Sequence, residues 1–121
     1  MFKKPGEVVP SDAAAKAVIE LEEFEDEGGG YIFDIGDGQV LFLKGQQYFP
    51  VNDEMPWPNT SFEIVRTNPG SRWVGIFCYG GELPPIRTIE TSECNEDVVW
   101  AEHEEIADGD LESFAKSLLA T

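Results

Sequence analysis

The single histidine and the two cysteines are the residues of this chain best suited to nucleophilic catalysis or zinc binding. His103 stands in the run Ala-Glu-His-Glu-Glu, and neither Cys78 nor Cys94 lies in a recognisable nucleophile motif. A nucleophile needs a base within hydrogen-bond reach, and a structural zinc ion needs a full set of suitably spaced soft ligands. Because neither pattern is present, we predict a solvated surface histidine, two free thiols, and no catalytic residue, metal or cofactor.

Three short segments resemble parts of ion sites. Residues 108–112 read DGDLE and residues 34–38 read DIGDG. Both segments have closely spaced carboxylates, as calcium-binding loops do, but neither has the complete loop pattern. The glycine triplet at 28–30 lacks the Lys-Ser/Thr of a phosphate loop and follows an acidic run. We interpret the first segment as a helix cap, the second as a hairpin turn and the third as a flexible turn.

Negative charge is the strongest signal in the composition. Eight Lys and Arg against 24 Asp and Glu give a formal net charge of −16. Such a field repels nucleic-acid phosphates and anionic membranes, and it speeds association with basic proteins. We therefore expect a basic protein partner and neither a nucleic acid nor a membrane; the alternative is a general acidity suited to the milieu of the cell. The acids concentrate in the segment 90–112, which has no Lys or Arg, and in Glu20, Glu22, Glu23, Glu25, Asp26 and Glu27.

Aromatic residues provide a second candidate feature for binding. Trp57 stands between two prolines, and we expect other aromatic residues near it in the fold. Aromatic side chains beside acids bind basic or proline-rich peptides in some small β-domains. The alternative is that Trp57 folds back and plugs the end of a barrel. The candidate binding residues are Glu22, Glu23, Glu25, Asp26, Glu27, Tyr48, Trp57, Trp73 and Tyr79.

Turn signals and alternating hydrophobicity predict a chain made mainly of short strands. Asp37-Gly38 separates two β-rich runs, which is the signature of a tight hairpin. Residues 40–43 are apolar on both faces, so we expect them in a central strand that is covered on both sides. Residues 68–71 (Asn-Pro-Gly-Ser) predict the turn of a second hairpin. The predicted strands are 31–35, 39–43, 62–67, 73–79, 86–89 and 98–101.

The first part of the chain predicts a helix that gives way to a strand. Residues 1–12 hold two prolines and a glycine and are predicted to form a loose leader. Ser11 or Asp12 is placed to cap a helix that begins at residues 13–17. Residues 18–24 alternate between apolar residues and glutamates and favour a strand, and continuation of the helix is the alternative.

The end of the chain predicts an amphipathic helix. Apolar residues recur with helical period over residues 111–119, and Asp108 or Asp110 is placed to cap the helix. This helix is a candidate to cover one face of the strand at 40–43. We therefore predict a single domain, residues 1–121, that is mainly β: a small antiparallel barrel or strongly curled sheet with the C-terminal helix packed on it.

Three stretches of the chain carry a recognisable pattern. Residues 22–28 read EEFEDEG, residues 31–46 follow YxFDxGDGxVLFLxGQ, and residues 58–66 follow PNTxFEIVR. These stretches resemble a sequence shared by a group of uncharacterised bacterial proteins. The resemblance implies a bacterial protein and assigns no activity to it.

These observations favour a bacterial binding module that is not an enzyme, such as an acidic immunity, inhibitor or regulatory protein for a basic partner. The first alternative is a small-ligand-binding or hydrolytic domain that uses a pocket at the barrel mouth, and the second is an accessory subunit without a site. A cytoplasmic location is expected, because no signal peptide and no apolar stretch long enough to span a membrane occur in the sequence. The oligomeric state stays open.

Overall fold

Seven strands and two helices are present in the computed structural model, which describes residues 14–23, 28–46, 48, 54–66 and 73–120. The strands are β1 (Ala17–Glu22), β2 (Gly30–Gly36), β3 (Gln39–Lys44), β4 (Phe62–Arg66), β5 (Trp73–Cys78), β6 (Arg87–Glu90) and β7 (His103–Asp108). The helices are α1 (Glu96–Trp100), which follows a 3-10 turn at Thr91–Glu93, and α2 (Leu111–Leu118). The expected leader, the expected caps Ser11 and Asp12, and the expected turn at 68–71 lie outside the described residues.

The tight turn between β2 and β3 is the hairpin that the sequence predicts. Asp37 has φ 57° and Gly38 has φ 71°, the positive values of a primed turn, whose twist matches that of the flanking strands. The Gly36 N–H donates a hydrogen bond of 3.0 Å to Asp34 Oδ1 and so supports the approach to the turn. The interpretation of residues 34–38 as a hairpin turn is therefore confirmed.

Strand β3 is covered on both faces, as its apolar sequence predicts. Val40 and Phe42 face one side of the sheet, Leu41 and Leu43 face the other, and all four are buried. The first side, which we call the helical side, packs against α1 and α2; the second, the hairpin side, packs against β4 and β5. The helical side also contains Ile19, Leu21, Ile32, Ile89, Cys94, Val98, Val99, Leu111, Ala115 and Leu118.

The mainly β class is confirmed, and of the two expected architectures, a small barrel or a strongly curled sheet, the barrel is wrong because the described strands do not close. Five strands form an open sheet in the order β6-β1-β2-β3-β7, and β4 pairs with β5 in a separate two-stranded sheet. Neighbours in the five-stranded sheet are antiparallel except β1 and β6, which are parallel. Turn signals identify local hairpins, but they do not show which distant strand takes an edge of the sheet.

The helix expected at residues 13–17 is also wrong for the residues that are described. Ala14 forms an isolated antiparallel bridge with Ser61, and β1 begins at Ala17. Ile19 and Leu21 are fully buried on the helical side, with glutamates between and after them. Burial of these alternate residues outweighs the helix propensity of the preceding alanines.

Residues 98–101 are mostly helical rather than the start of a strand. Asn95 caps α1, because its side chain accepts a hydrogen bond of 3.3 Å from the Val98 N–H. Val98 and Val99 are both buried on the helical side. The cap and this burial together outweigh the β preference of the two valines, and the strand begins only at His103.

Helix α2 has the cap and the buried stripe that the sequence predicts. Asp110 Oδ1 accepts a hydrogen bond of 2.8 Å from the Ser113 N–H. Leu111, Ala115 and Leu118 are buried in the core of the helical side. Residues 108–112 therefore contain a helix cap, and the C-terminal helix packs on the sheet.

Candidate functional site

The topology brings the ends of all five strands of the sheet together. Strands β1, β3 and β6 run in one direction and β2 and β7 in the other. The last residues of the first three strands therefore lie beside the first residues of the other two. Glu22 is in register with Glu90, and Lys44 lies between Gly30 and His103.

This end of the sheet joins the two acidic stretches that are separate in the sequence. Glu22 and Glu90 face each other across neighbouring strands, and Thr91 Oγ1 donates a hydrogen bond to the Glu22 carbonyl. Both side chains are exposed, so two carboxylates from distant parts of the chain stand next to each other on the surface. We call this surface the acidic end; its exposed carboxylates belong to Glu22, Glu23, Glu90, Glu93 and Glu102.

Trp100 is an exposed aromatic residue close in sequence to Glu102 of the acidic end. Its side chain is 54% exposed at the last residue of α1, two residues before Glu102. Tryptophan is enriched among the residues that contribute most to protein–protein affinity. Sequence reasoning placed Trp100 in a strand and did not select it. The signal that could have identified it is the capping residue Asn95, followed by two acids suited to a helix N-terminus.

Lys44 lies beneath the acidic end. It is fully buried at the end of β3, and its Nζ donates a hydrogen bond of 3.1 Å to the Val99 carbonyl in the last turn of α1. A cation at a helix C-terminus satisfies a free carbonyl and complements the helix dipole. Lys44 therefore connects β3 to the helix that presents Trp100. Its position at the end of an apolar strand gave no sign of this role.

Trp57 folds back onto the core, as the alternative interpretation supposed. Its ring lies 5.4 Å from Tyr31, 5.6 Å from Phe33 and 5.0 Å from Phe62, measured between ring centroids. All of these residues belong to the hairpin side or pack against it. Trp57 thus covers a face of the sheet, and the expected barrel end does not exist.

The other predicted aromatic residues do not form one cluster. Tyr48 is buried near the acidic end, where its hydroxyl donates to Glu104 Oε1 at 2.9 Å. Tyr79 is exposed next to β5, and its hydroxyl donates to Glu63 Oε1 of β4 at 3.0 Å. The fold therefore brings together Glu22, Glu23 and Tyr48, and places Tyr79 on the separate hairpin. The side chain of Trp73 and all of Glu25, Asp26 and Glu27 lie outside the described residues.

A cavity of about 280 Å³ lies at the acidic end. The glycine triplet contributes to its wall: Gly28 has φ 85°, and a Cβ there would lie 2.5 Å from the carbonyl carbon of Gly45. The Gly45 N–H donates to the Gly29 carbonyl at 3.2 Å. The triplet, interpreted as a flexible turn, thus allows close contact between two backbone segments. The cavity is lined by Glu23, Gly28, Gly29, Tyr31, Gly45, Gln46 and Tyr48.

The thiols and the histidine do not form a nucleophile and base. Both cysteines are free; burial raises the pKa of the Cys78 thiol to about 11, and burial and the charge of Glu93 raise that of Cys94. Both thiols are therefore protonated at neutral pH and weakly nucleophilic. The expected solvated surface histidine is confirmed only in part, because His103 is partly exposed but also packs on the core. His103 is half-buried, with Nε2 2.9 Å from the Asp97 carbonyl oxygen and its ring stacked on Phe42.

Comparison with protein families, with curated proteins and with solved structures finds no significant match to this chain. Among the described residues, no group of three or more His, Cys, Asp or Glu side chains is arranged to hold a metal ion. Neither helix in this part of the chain is long and apolar enough to cross a membrane. The geometry of the acidic end therefore carries the argument about function.

Proposed function

We propose that this protein is a bacterial binding module, not an enzyme, and that it recognises a basic protein partner through the acidic end. The carrying observation is the convergence of exposed carboxylates from two distant stretches of the chain at one end of the sheet, with the exposed residue Trp100 two positions before Glu102 of this set. An inhibitor, an immunity protein or a regulatory protein would act in this way, because charge complementarity speeds capture of the partner.

Electrostatics supports a basic partner. The net charge of −16 attracts cationic proteins at a distance, and such steering raises association rates by roughly 10- to 1,000-fold. Over short range, Glu22 and Glu90 stand in register on β1 and β6. A Lys or Arg placed between them would be attracted by both carboxylates. The acidic end is therefore expected to bind more tightly as the ionic strength falls.

Trp100 supports recognition of a protein rather than attraction to any cation. An exposed indole contributes affinity when a partner removes it from water, and neighbouring carboxylates then determine orientation. Trp100 combines 54% exposure with a fixed position at the end of α1, where Val99 is held by Lys44. Such an anchor loses little conformational entropy on binding.

The proposal is tested with the full chain as bait. Proteins of the source organism are captured at low salt, the basic proteins are identified, and the affinity of each for wild type and variants is measured by calorimetry. Trp100→Ala is expected to lower the affinity for the true partner by about thirtyfold, the factor that corresponds to a loss of ~2 kcal/mol at a residue that contributes strongly to binding. Ile86→Ala is the matched control, because Ile86 is 60% exposed but lies outside the acidic end.

Two outcomes would contradict the proposal. One is that no basic protein is captured at low salt. The other is that Trp100→Ala and Ile86→Ala have equal effects on every captured protein, because binding would then reflect only net charge.

Binding of a small ligand is a second candidate function, favoured by the cavity at the acidic end. Its volume of about 280 Å³ falls just below the roughly 300–1,000 Å³ of sites for drug-sized ligands. The pKa values of the Cys78 and Cys94 thiols are raised, so neither thiol is an activated nucleophile and they do not support hydrolysis by this domain. A ligand smaller than a nucleotide would therefore suit the cavity best.

A further inference from the structure

We infer that the cavity at the acidic end is a recognition pocket for an alkylguanidinium or alkylammonium group, supplied in the complex by an Arg or Lys side chain of the basic partner. The part of this inference that concerns the partner rests on the proposed function. The preference of the cavity for such a cation does not, because it follows from the residues that line the cavity.

The size of the cavity restricts the occupant. A volume of about 280 Å³, at the lower end of the roughly 300–1,000 Å³ of small-molecule sites, accommodates one long side chain. Gly28, Gly29 and Gly45 supply backbone rather than side chains to its wall, so an extended group can enter between the strand ends. The cavity therefore fits a single cationic side chain or a small amine.

The charge around the cavity selects a cation. Glu23 lines it, and Glu20 lies directly opposite Tyr31 in the register of β1 and β2. Burial raises the pKa of the Tyr31 hydroxyl, and the negative charges of Glu20 and Glu23 raise it further. A phosphate or carboxylate at this hydroxyl would meet the same repulsion. The glycine N–H groups therefore lie in a field that opposes anions.

Aromatic groups complete the recognition of a cation. Tyr31 and Tyr48 line the cavity, and a guanidinium or ammonium group is attracted to the face of an aromatic ring. Both rings are held in place: Tyr31 packs edge-on against Trp57, and the Tyr48 hydroxyl donates to Glu104. Because these two rings are held before binding, they lose little conformational entropy when the pocket is filled.

The cavity is tested by titrating the isotopically labelled full chain with ethylguanidinium chloride and following amide chemical shifts at constant ionic strength. Shifts are expected for the amide signals of the lining residues Gly28, Gly29, Gly45 and Gln46. N-ethylurea has nearly the same shape but no charge, and is expected to cause no shifts there.

Charge-neutralising variants test which carboxylate is responsible. Glu23→Gln is expected to weaken ethylguanidinium binding about fivefold, the upper range for a solvent-accessible ion pair. Glu82→Gln removes one exposed charge outside the cavity and is expected to leave the affinity unchanged. Equal responses to the urea and the cation, or equal effects of the two variants, would overturn the inference.

A nine-residue oligoarginine peptide separates the two sources of the cation. If a side chain of a protein partner fills the cavity, the peptide competes with ethylguanidinium, and Glu23→Gln weakens the binding of both the peptide and ethylguanidinium. If the peptide binds without displacing ethylguanidinium, the part concerning the partner is wrong and the cavity is a site for a free amine. A partner whose affinity does not depend on Trp100 would contradict the proposed function but would not alter the ethylguanidinium titration.

Discussion

Replacement of Asn59 tests whether one buried amide holds the loop that carries Trp57. Asn59 is 0% exposed and makes four hydrogen bonds. Its Nδ2 donates to the carbonyls of Pro56 (3.1 Å) and Gly80 (3.2 Å), and its Oδ1 accepts from the N–H groups of Ser61 (2.9 Å) and Gly80 (3.0 Å). Each bond contributes ~0.5–1.5 kcal/mol net, so Asn59→Ala is expected to lower the free energy of unfolding by about 2–6 kcal/mol.

Urea unfolding followed by tryptophan fluorescence and circular dichroism measures this change, and thermal unfolding is expected to show a fall in Tm of about 8–24 °C, at roughly 4 °C per kcal/mol. A domain of ordinary stability has only ~5–15 kcal/mol in total, so the variant should be near its limit at room temperature. Ser61→Ala is the control, because it keeps the backbone N–H that bonds Asn59 and should change stability by less than ~0.5 kcal/mol. If Asn59→Ala unfolds as the control does, the amide does not hold the loop and the reasoning is refuted.

Three further predictions concern titration and an ion pair. Burial raises the pKa of Cys78 from 9.0 to about 11, so the folded state holds this proton more tightly than the unfolded state does. The contribution of the protonated thiol to the free energy of unfolding is therefore complete below pH 9 and is lost as the pH rises toward 11. Cys78→Ala should reduce the fall of Tm over this pH range in thermal melts. The hydrogen bond from the Ser113 N–H lowers the pKa of Asp110, so its contribution is present above its ordinary pKa and lost on acidification through the lowered value. Asp110→Ala should therefore lower Tm at pH 7 and much less in acid, whereas equal shifts at both would contradict the capping role. Arg87 and Glu112 form a 2.8 Å ion pair with side chains 44% and 58% exposed, so a double-mutant cycle should give a coupling below about 1 kcal/mol that shrinks with salt.

The parts of the fold that sequence reasoning identified correctly depend on local signals. The turn at Asp37-Gly38 requires two positive φ values, and few residue pairs satisfy that requirement as readily. The cap at Asp110 and the apolar stripe of α2 likewise lie within a few residues of each other. Strand β3 was placed correctly because residues buried on both faces remain apolar at every position.

The parts that it missed depend on contacts between distant residues. Nothing in residues 17–22 shows that β6 will pair with them in parallel, so the open sheet was not foreseen. The β preference of Val98 and Val99 concealed α1 and, with it, Trp100. The cavity is built from the ends of three strands, and only Glu23 and Tyr48 of its lining were among the predicted binding residues. A single sequence contains each of these residues but not their juxtaposition.

The parallel pairing of β1 with β6 also determines the order in which the chain can fold during synthesis. The hairpin of β2 and β3 can cover one edge of β1 early, but among the described strands the partner of the other edge is β6, which is complete only when Arg87–Glu90 leave the ribosome. At ~5–20 residues per second, that edge stays open for several seconds. An open edge is a template for association with other chains, and charged side chains are the usual protection. Glu20 and Glu22 lie on this strand, so we expect their carboxylates, of which Glu22 belongs to the acidic end, to disfavour such association between nascent chains.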